Sequence, residues 1–208
     1  METHQPIDTL QDIKRIMERS SRFISLSGLS GVSAGVFALI GSLVAYRELT
    51  EWNNVINKTL AEFTALKVRL FVIAMVVFLG AIGSAFYFTW RKAKSNEMSI
   101  WDASSQRLIV NLFIPVVAGA CFIAGMLYHD IWQFVSPACL VFYGLALINA
   151  SKYTFSDIRY VGILEVVLGI LNLFYITYGL YFWALGFGVL HVIYGIIMWY
   201  KYDKVDKQ

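Results

Sequence analysis

The sequence predicts an all-α, polytopic membrane protein with about six transmembrane helices. Of its 208 residues, 58% are hydrophobic and 15% are charged, and the mean hydropathy of +0.62 exceeds that of ordinary soluble domains. The apolar residues form runs of about 17–22 residues, the length a helix needs to cross roughly 30 Å of hydrocarbon. The net charge of +3 reflects loop composition and gives no support for nucleic-acid binding. The partner that composition predicts is therefore the lipid bilayer.

The spans divide the chain into three parts and pair as three helical hairpins. A cytoplasmic segment (1–23) precedes the transmembrane domain (24–200), and a cytoplasmic tail (201–208) follows it. The predicted spans are 24–46, 68–90, 108–128, 134–150, 160–178 and 180–200. With the amino terminus inside, thirteen of the 17 Lys and Arg residues fall on the cytoplasmic side, so both termini are predicted to be cytoplasmic.

The N-terminal segment is predicted to be an amphipathic helix. Its apolar residues recur at helical spacing, with charged residues between them. They are Ile7, Leu10, Ile13, Met17 and Phe23. We expect this helix to lie on the cytoplasmic surface of the bilayer, and the alternative is a helix that docks on a partner. The first span is too long for the apolar region of a cleaved signal peptide, so it is expected to stay in the membrane.

Glu165 and His191 are the candidate functional pair. Each lies inside a predicted span, and a tight turn near Tyr178 and Gly179 would place them at the same depth. An ionisable group at membrane depth costs roughly 2.5–3.5 kcal/mol on insertion scales, which makes it a functional-site hypothesis. The pair is either a neutral carboxylic acid beside imidazole or a carboxylate beside imidazolium. Either form could shuttle protons, and either could be a polar clasp that fixes helix register.

Small residues accompany this pair on two predicted helix faces. The fifth span carries one face and the sixth the other, and the two faces are expected to meet. The residues of the fifth-span face are Gly162, Glu165, Gly169 and Asn172, and those of the sixth-span face are Ala184, Gly188, His191 and Gly195. Gly31 and Gly35 form a GxxxG pair in the first span, which predicts internal packing or dimerisation.

A weak internal repeat runs through the second half of the chain. The segment 141–144 (VFYG) reads much like 192–195 (VIYG), at an offset of 51 residues. This offset is about the length of one helical hairpin with its connection. It therefore favours a parallel duplication of hairpins over the inverted repeats of many transporters.

Motifs for enzymatic chemistry are missing from the sequence. No P-loop or HExxH motif occurs, and a catalytic zinc site needs more ligands than the predicted spans supply. The loops are too short for a soluble catalytic domain. We therefore predict a protein that is not an enzyme and that has no cofactor and no metal. The cysteines Cys121 and Cys139 lie in adjacent spans, as packed thiols or as a disulfide.

Four segments resemble an uncharacterised family of small bacterial inner-membrane proteins, chiefly from Bacteroidota. They are residues 16–20 (IMERS), 142–153 (FYGLALINASKY), 157–160 (DIRY) and 186–191 (GFGVLH). The resemblance covers nearly the whole chain and implies a bacterial inner membrane, with no activity attached. More distantly, the spacing of the glycines is similar to that of the HdeD-like (DUF308) membrane proteins, which are linked to acid resistance. Neither resemblance assigns a functional residue.

The first interpretation is thus a non-enzymatic structural or interaction protein of the inner membrane, connected with envelope stress. The alternative is a small proton-linked transporter or channel that uses Glu165 and His191. A third interpretation is a membrane subunit that forms a homo-oligomer or recruits a membrane or cytoplasmic partner. A water-filled cavity at Glu165 would favour transport, and a dry glycine interface would favour the structural role.

Overall fold

The computed structural model describes residues 26–56, 59–95 and 101–204, and all regular elements within these ranges are helical. The helices are α1 (Gly28–Asn54), α2 (Leu60–Ser95), α3 (Ala103–Tyr128), α4 (Trp132–Ala150), α5 (Ile158–Phe174) and α6 (Ile176–Asp203). Five of them are long and apolar enough to cross a membrane, and α5 is slightly shorter at 17 residues. The predicted all-α class is confirmed, and the helices are compatible with a polytopic membrane protein. The predicted N-terminal amphipathic helix lies outside the described residues.

The helix limits differ from the predicted spans at two connections. The connection between α1 and α2 is mostly helical, because α1 runs to Asn54 and α2 begins at Leu60. The turn between α5 and α6 lies earlier than predicted: α5 ends at Phe174, and α6 starts with a 3-10 turn at Ile176–Tyr178. Cys121 and Cys139 are free thiols.

The predicted third hairpin is wrong as a packing unit. Helix α5 packs chiefly on α4, and α6 packs chiefly on α1, although α5 and α6 are consecutive. Helix α2 packs on the other side of α1, and α3 on the other side of α4. The helices therefore form two groups, α2–α1–α6 and α3–α4–α5, which meet where α6 lies beside α4 and α5. Most of the apolar surface of α2 and α3 faces outward, where lipid would cover it.

Glycines explain why α5 packs on α4 and why α6 packs on α1. A Cβ added to Gly144 of α4 would lie 2.6 Å from the carbonyl oxygen of Gly162 in α5. A Cβ added to Gly195 of α6 would lie 2.7 Å from the carbonyl oxygen of Gly28 in α1. The backbones touch at both places, so any larger residue would push the helices apart. Close approach of this kind drives helix association in lipid, where the hydrophobic effect between helices is absent.

The two glycine interfaces are built in the same way. Gly169 of α5 lies against Val141 and the carbonyl of Pro137 in α4. In the other interface, Gly35 of α1 lies against Val192 and the carbonyl of Gly188 in α6. Each α6 residue follows its α4 counterpart by 51 positions, and each α5 residue follows its α1 counterpart by 134. The pair α4–α5 is therefore matched by the pair α6–α1.

One end of the bundle, the Ser27 end, is closed by Asp203. Its carboxylate accepts hydrogen bonds from the backbone N–H of Gly28 (3.0 Å) and the Ser27 hydroxyl (3.1 Å). The Lys92 ammonium of α2 lies 2.6 Å from the same carboxylate. A negative group at the N-terminus of a helix satisfies free N–H groups and complements the helix dipole. The last residue of α6 thus ties together α1, α2 and α6.

The opposite end of the bundle, the Asp130 end, is held by Asp130 in the turn after α3. This residue has a φ of 59°, in the left-handed region, and it is the only non-glycine residue with positive φ in the described part of the chain. Its carboxylate accepts hydrogen bonds from Lys67 (2.5 Å) and from the Trp132 indole (3.1 Å). These hydrogen bonds, chiefly the one from Lys67, lower the pKa of Asp130. The turn is therefore joined to both α2 and α4.

Candidate functional site

Glu165 lies near the middle of α5, with 0% of its surface exposed. Its carboxyl group points between α4 and α6, where Gly186 leaves the space that it occupies. A Cβ on Gly186 would lie 2.5 Å from Glu165 Oε2, and it would meet the side chain of Leu140 at the same distance. Gly186 thus admits the carboxyl group, and Leu140 covers it from α4.

His191 faces Glu165 from α6 and makes two hydrogen bonds of its own. Nδ1 lies 3.0 Å from the carbonyl oxygen of Gly186, and Nε2 lies 2.8 Å from the Tyr143 hydroxyl of α4. A carbonyl can only accept, so Nδ1 carries the proton of the first bond. Neutral imidazole then accepts the Tyr143 proton at Nε2, which fixes the tautomer.

The structure brings Glu165 and His191 together without a hydrogen bond between them. Glu165 Oε1 lies 3.5 Å from His191 Nδ1, which is longer than an ordinary N–H···O bond. The proton on Nδ1 is directed to Gly186 instead. Both oxygens of Glu165 lack a hydrogen-bond partner. A polar clasp would satisfy its buried groups, and this arrangement does not.

The helix around this site is not a regular α-helix. Residues Ala184–Leu190 form a π-helical stretch, and regular α-helix resumes at His191–Met198. Wider turns of this kind are rare and occur frequently at functional sites. The wider turn also rotates the residues before His191 relative to those after it. Gly186, which the sequence analysis did not single out, therefore faces Glu165.

The two predicted small-residue faces do not meet, which corrects the expected interface. On α5, Gly162 and Gly169 pack on α4. On α6, Gly188 packs on Leu39 of α1 and Gly195 packs on Val32 of α1. The physical reason is that α4 and α1 each offer backbone at a small residue, whereas the space between α5 and α6 holds the Glu165 side chain. Gly31 and Gly35 of α1 both pack on α6, so this pair serves internal packing.

Asn172 belongs to the same buried side of α5 but lies apart from the pair. It is two helical turns beyond Glu165, about 10 Å along the axis. Its side chain is fully buried, and its amide nitrogen donates to the Ser136 hydroxyl at 3.3 Å. The Ser136 hydroxyl in turn donates to the carbonyl of Gly179 at 2.7 Å. Asn172 therefore joins α5 to α4 and to the start of α6, towards the Asp130 end.

The buried side-chain polar atoms that lack partners in the described chain all lie on α5 and α6. They are both carboxyl oxygens of Glu165, Oδ1 of Asn172 and the hydroxyl of Tyr194. Nearly all buried polar atoms in native structures are hydrogen-bonded to protein or to ordered water. These four exceptions show that α5 and α6 carry buried donors and acceptors for which the protein provides no hydrogen-bond partner.

The site occupies positions where the two equivalent helix pairs differ. Glu165 of α5 corresponds to Gly31 of α1, and His191 of α6 corresponds to Leu140 of α4 by the same offsets. The α4–α5 pair thus has a carboxyl group where the α6–α1 pair has only backbone. The α6–α1 pair has an imidazole where the α4–α5 pair has a leucine. Within the described residues, no group of three His, Cys, Asp or Glu side chains is placed to hold a metal ion.

Tyr143 and Gly186 are the site residues that sequence reasoning missed. Tyr143 lies in the 141–144 segment of the repeat, and this segment was the available signal for it. Gly186 lies in the 186–191 segment and had no spacing signal, because a π turn is not visible as a period. Comparison of the chain with protein-family models, with curated proteins and with solved structures gave no match.

Proposed function

We propose that this protein is a small proton-linked transporter or channel in which Glu165 binds and releases the proton. The observation that carries the proposal is the environment of the Glu165 carboxyl group. It is fully buried, lacks a hydrogen-bond partner at both oxygens and lies 3.5 Å from a histidine ring nitrogen. An ionisable group that faces the interior of a helical bundle typically marks an ion pathway or a proton relay.

Energetics favour this role over that of a stabilising clasp. A buried polar group without a partner costs about 1–3 kcal/mol, and a charged one costs more. A leucine of similar size at this position would avoid that cost. Glu165 therefore destabilises the fold as it stands, and its proton chemistry supplies a reason for its presence.

The neighbouring groups supply a transfer step. His191 can pass its Nδ1 proton to a Glu165 carboxylate when the ring breaks its bond to Gly186. At the same time Nε2 takes the hydroxyl proton of Tyr143, and the phenolate takes a proton from a hydronium ion, which leaves water. The carboxyl group ends neutral, the imidazole keeps one proton and the phenol is restored. The two transfers between side chains join groups that lie within 3.5 Å of each other.

The experiment is proton flux into liposomes that contain the purified protein, under an imposed pH gradient. We expect wild-type flux above that of protein-free liposomes, and Glu165→Gln should abolish the difference. Gln keeps the size of the side chain and removes the titrating proton. Glu51→Gln, at an exposed position of α1, is the matched control and should leave the flux unchanged. Wild-type flux equal to that of protein-free liposomes, or unchanged by Glu165→Gln, would overturn the proposal.

The second candidate is the non-enzymatic structural or interaction protein. The observation that favours it is the pair of glycine interfaces, which are closely packed and leave no room for a solute between their helices. On this reading Glu165→Leu would raise the melting temperature and keep every association of the protein. On the transport reading the same variant would be stable but inactive. Capture of a partner that depends on the 1–23 segment would support an interaction role.

We propose the bacterial inner membrane as the setting, with six spans and both termini in the cytoplasm. The imbalance of thirteen to four in Lys and Arg supports the orientation, and the family resemblance supports the compartment. The Ser27 end would then be the cytoplasmic end. Protease treatment of sealed right-side-out vesicles should leave a C-terminal tag intact, and its loss would contradict this topology.

A further inference from the structure

We propose that Tyr143 and Tyr194 carry a water-bridged proton path from Glu165 to Asp157, so that the buried carboxyl group communicates with the Ser27 end of the bundle. This inference rests on the proposed function and adds its route. The path consists of side chains from α4, α5 and α6 and of the residue that precedes α5. In order from the buried end, its groups are Glu165, His191, Tyr143, Tyr194, Tyr202 and Asp157.

The buried half of the path is closely spaced. Glu165 lies 3.5 Å from His191, and the other ring nitrogen of His191 lies 2.8 Å from the Tyr143 hydroxyl. Three groups from three helices therefore converge at the same depth.

The outer half of the path reaches the Ser27 end through a second tyrosine. Tyr194 lies one turn beyond His191 on α6, in the direction of Asp203. Its hydroxyl is buried without a hydrogen-bond partner, and the ionisable groups near it are Asp157, Tyr143 and Tyr202. Tyr194 thus stands between the buried cluster and the surface.

The surface group is Asp157, which precedes α5. Its carboxylate accepts hydrogen bonds from the Tyr202 hydroxyl at 2.9 Å and from the Lys201 ammonium at 2.8 Å. Asp157 is partly exposed, with 26% of its side chain accessible. It can therefore exchange protons with solvent and with the tyrosine pair beside it.

Water is the natural bridge between Tyr194 and its neighbours. Tyr194 is a hydroxyl that can donate and accept, and no protein atom satisfies it. Buried water commonly satisfies such groups when several polar partners surround it. In the other direction, the next polar group after Glu165 is Asn172, about 10 Å away along α5 and beyond hydrogen-bond reach. The path therefore links Glu165 to the Ser27 end.

The experiment is infrared difference spectroscopy of the protein in lipid, which detects the carboxyl band that Glu165→Gln removes. The rate at which this band shifts in deuterated water measures proton exchange at Glu165. We expect Tyr194→Phe to slow the exchange about tenfold, the effect of about 1.4 kcal/mol on a barrier. Tyr200→Phe, an exposed tyrosine at the same end of α6, is the matched control and should exchange at the wild-type rate.

The two proposals fail in different ways. A Glu165 band whose exchange is unaffected by Tyr194→Phe would overturn the path and leave the proposed function standing. If no band depends on Glu165 between mildly acidic and neutral pH, the proposed function itself is overturned. Tyr194→Phe removes an oxygen that bonds to no protein atom, so the variant should fold. An unchanged melting temperature checks that a slower exchange does not reflect misfolding.

Discussion

The Tyr143 hydroxyl of α4 lies 2.8 Å from Nε2 of His191 in α6, and this hydrogen bond crosses between the two helix groups of the bundle. The rings of the two residues are also neighbours, with centroids 5.4 Å apart. The bond fixes the orientation of the imidazole and directs its other nitrogen to Gly186 and Glu165. Tyr143 is therefore a positioning residue for the site.

Tyr143→Phe should leave the imidazole of His191 without a partner at Nε2. We expect a loss of about 1–3 kcal/mol in the free energy of unfolding, the cost of an unpaired buried acceptor. Tyr181→Phe, an exposed tyrosine of α6, should change it little. Nitrogen NMR of labelled histidine should show a changed tautomer balance in the first variant alone. An unaltered imidazole spectrum in Tyr143→Phe would show that the hydrogen bond does not set the tautomer.

The equivalence of the two glycine interfaces predicts equal sensitivity to substitution. Gly144→Ala and Gly195→Ala should each destabilise the protein by about 1–3 kcal/mol, because each new Cβ meets backbone of the facing helix. Gly83→Ala and Gly125→Ala are the controls, since nothing lies within 4 Å of a Cβ at either position. These controls should be neutral or stabilise by up to about 1 kcal/mol, from helix propensity. Melting temperatures in one detergent give the ranking, and a tolerant Gly195 beside a sensitive Gly144 would refute the equivalence.

Asp203 should be among the most sensitive residues at the Ser27 end. Asp203→Ala removes the cap on the Gly28 N–H and leaves Lys92, which is 12% exposed, without its carboxylate. We expect a loss of about 1–3 kcal/mol, in the range of a helix cap together with a charged hydrogen bond. Glu48→Ala breaks the more exposed pair with Arg69 and should cost less than about 1 kcal/mol. Equal losses in the two variants would show that the clamp contributes no more than a surface pair.

Asp157 should make the stability of the protein depend on pH in the acid range. Partial burial raises the pKa of its carboxyl group, but the hydrogen bonds from Lys201 and Tyr202 outweigh this effect and hold the pKa below the ordinary 3.8. The unfolded chain therefore binds this proton more readily than the folded protein does. The stabilisation is complete above the ordinary value and is lost as the pH falls through the folded-state pKa.

Melting temperatures measured from pH 6 downwards would check this expectation. In Asp157→Asn the acid-dependent part of the fall should be smaller than in the wild type. Glu51→Gln should follow the wild-type curve, because Glu51 is an exposed residue of α1. A wild-type and an Asp157→Asn curve that fall in parallel would assign the acid dependence to other groups.

The sequence was sufficient to predict the helical class and the approximate position of each helix, because long apolar runs leave few alternatives in lipid. It also placed Glu165 and His191 at one depth. That agreement did not come from the predicted turn, which lies earlier in the chain than expected. The π-helical stretch at Ala184–Leu190 instead alters the spacing along α6, and its effect cannot be read from a period of 3.6 residues.

The choice of helix partner was not predictable from the small residues alone. The glycines of α5 and α6 were expected to face each other because the two helices are consecutive. Gly144 is the partner of α5 and lies in α4, the helix before it. Gly28 is the partner of α6 and lies in α1, far from α6 in sequence. Spacing shows that a face is small, but it does not show which of several small faces it meets. The 51-residue offset indicates that α6 is equivalent to α4. The meaning of this equivalence for helix packing is visible only once α1 and α6 are seen in contact.

The contact between α1 and α6 can form only late in the synthesis of the protein. The ribosome delivers Gly195 long after Gly28, whereas α4 and α5 emerge one after the other. At about 5–20 residues per second, α1 waits on the order of ten seconds or more in the membrane before its glycines meet their partner. During that time only α2 shields it. A chain that stops before Gly195 would therefore leave the glycines of α1 without the helix that covers them.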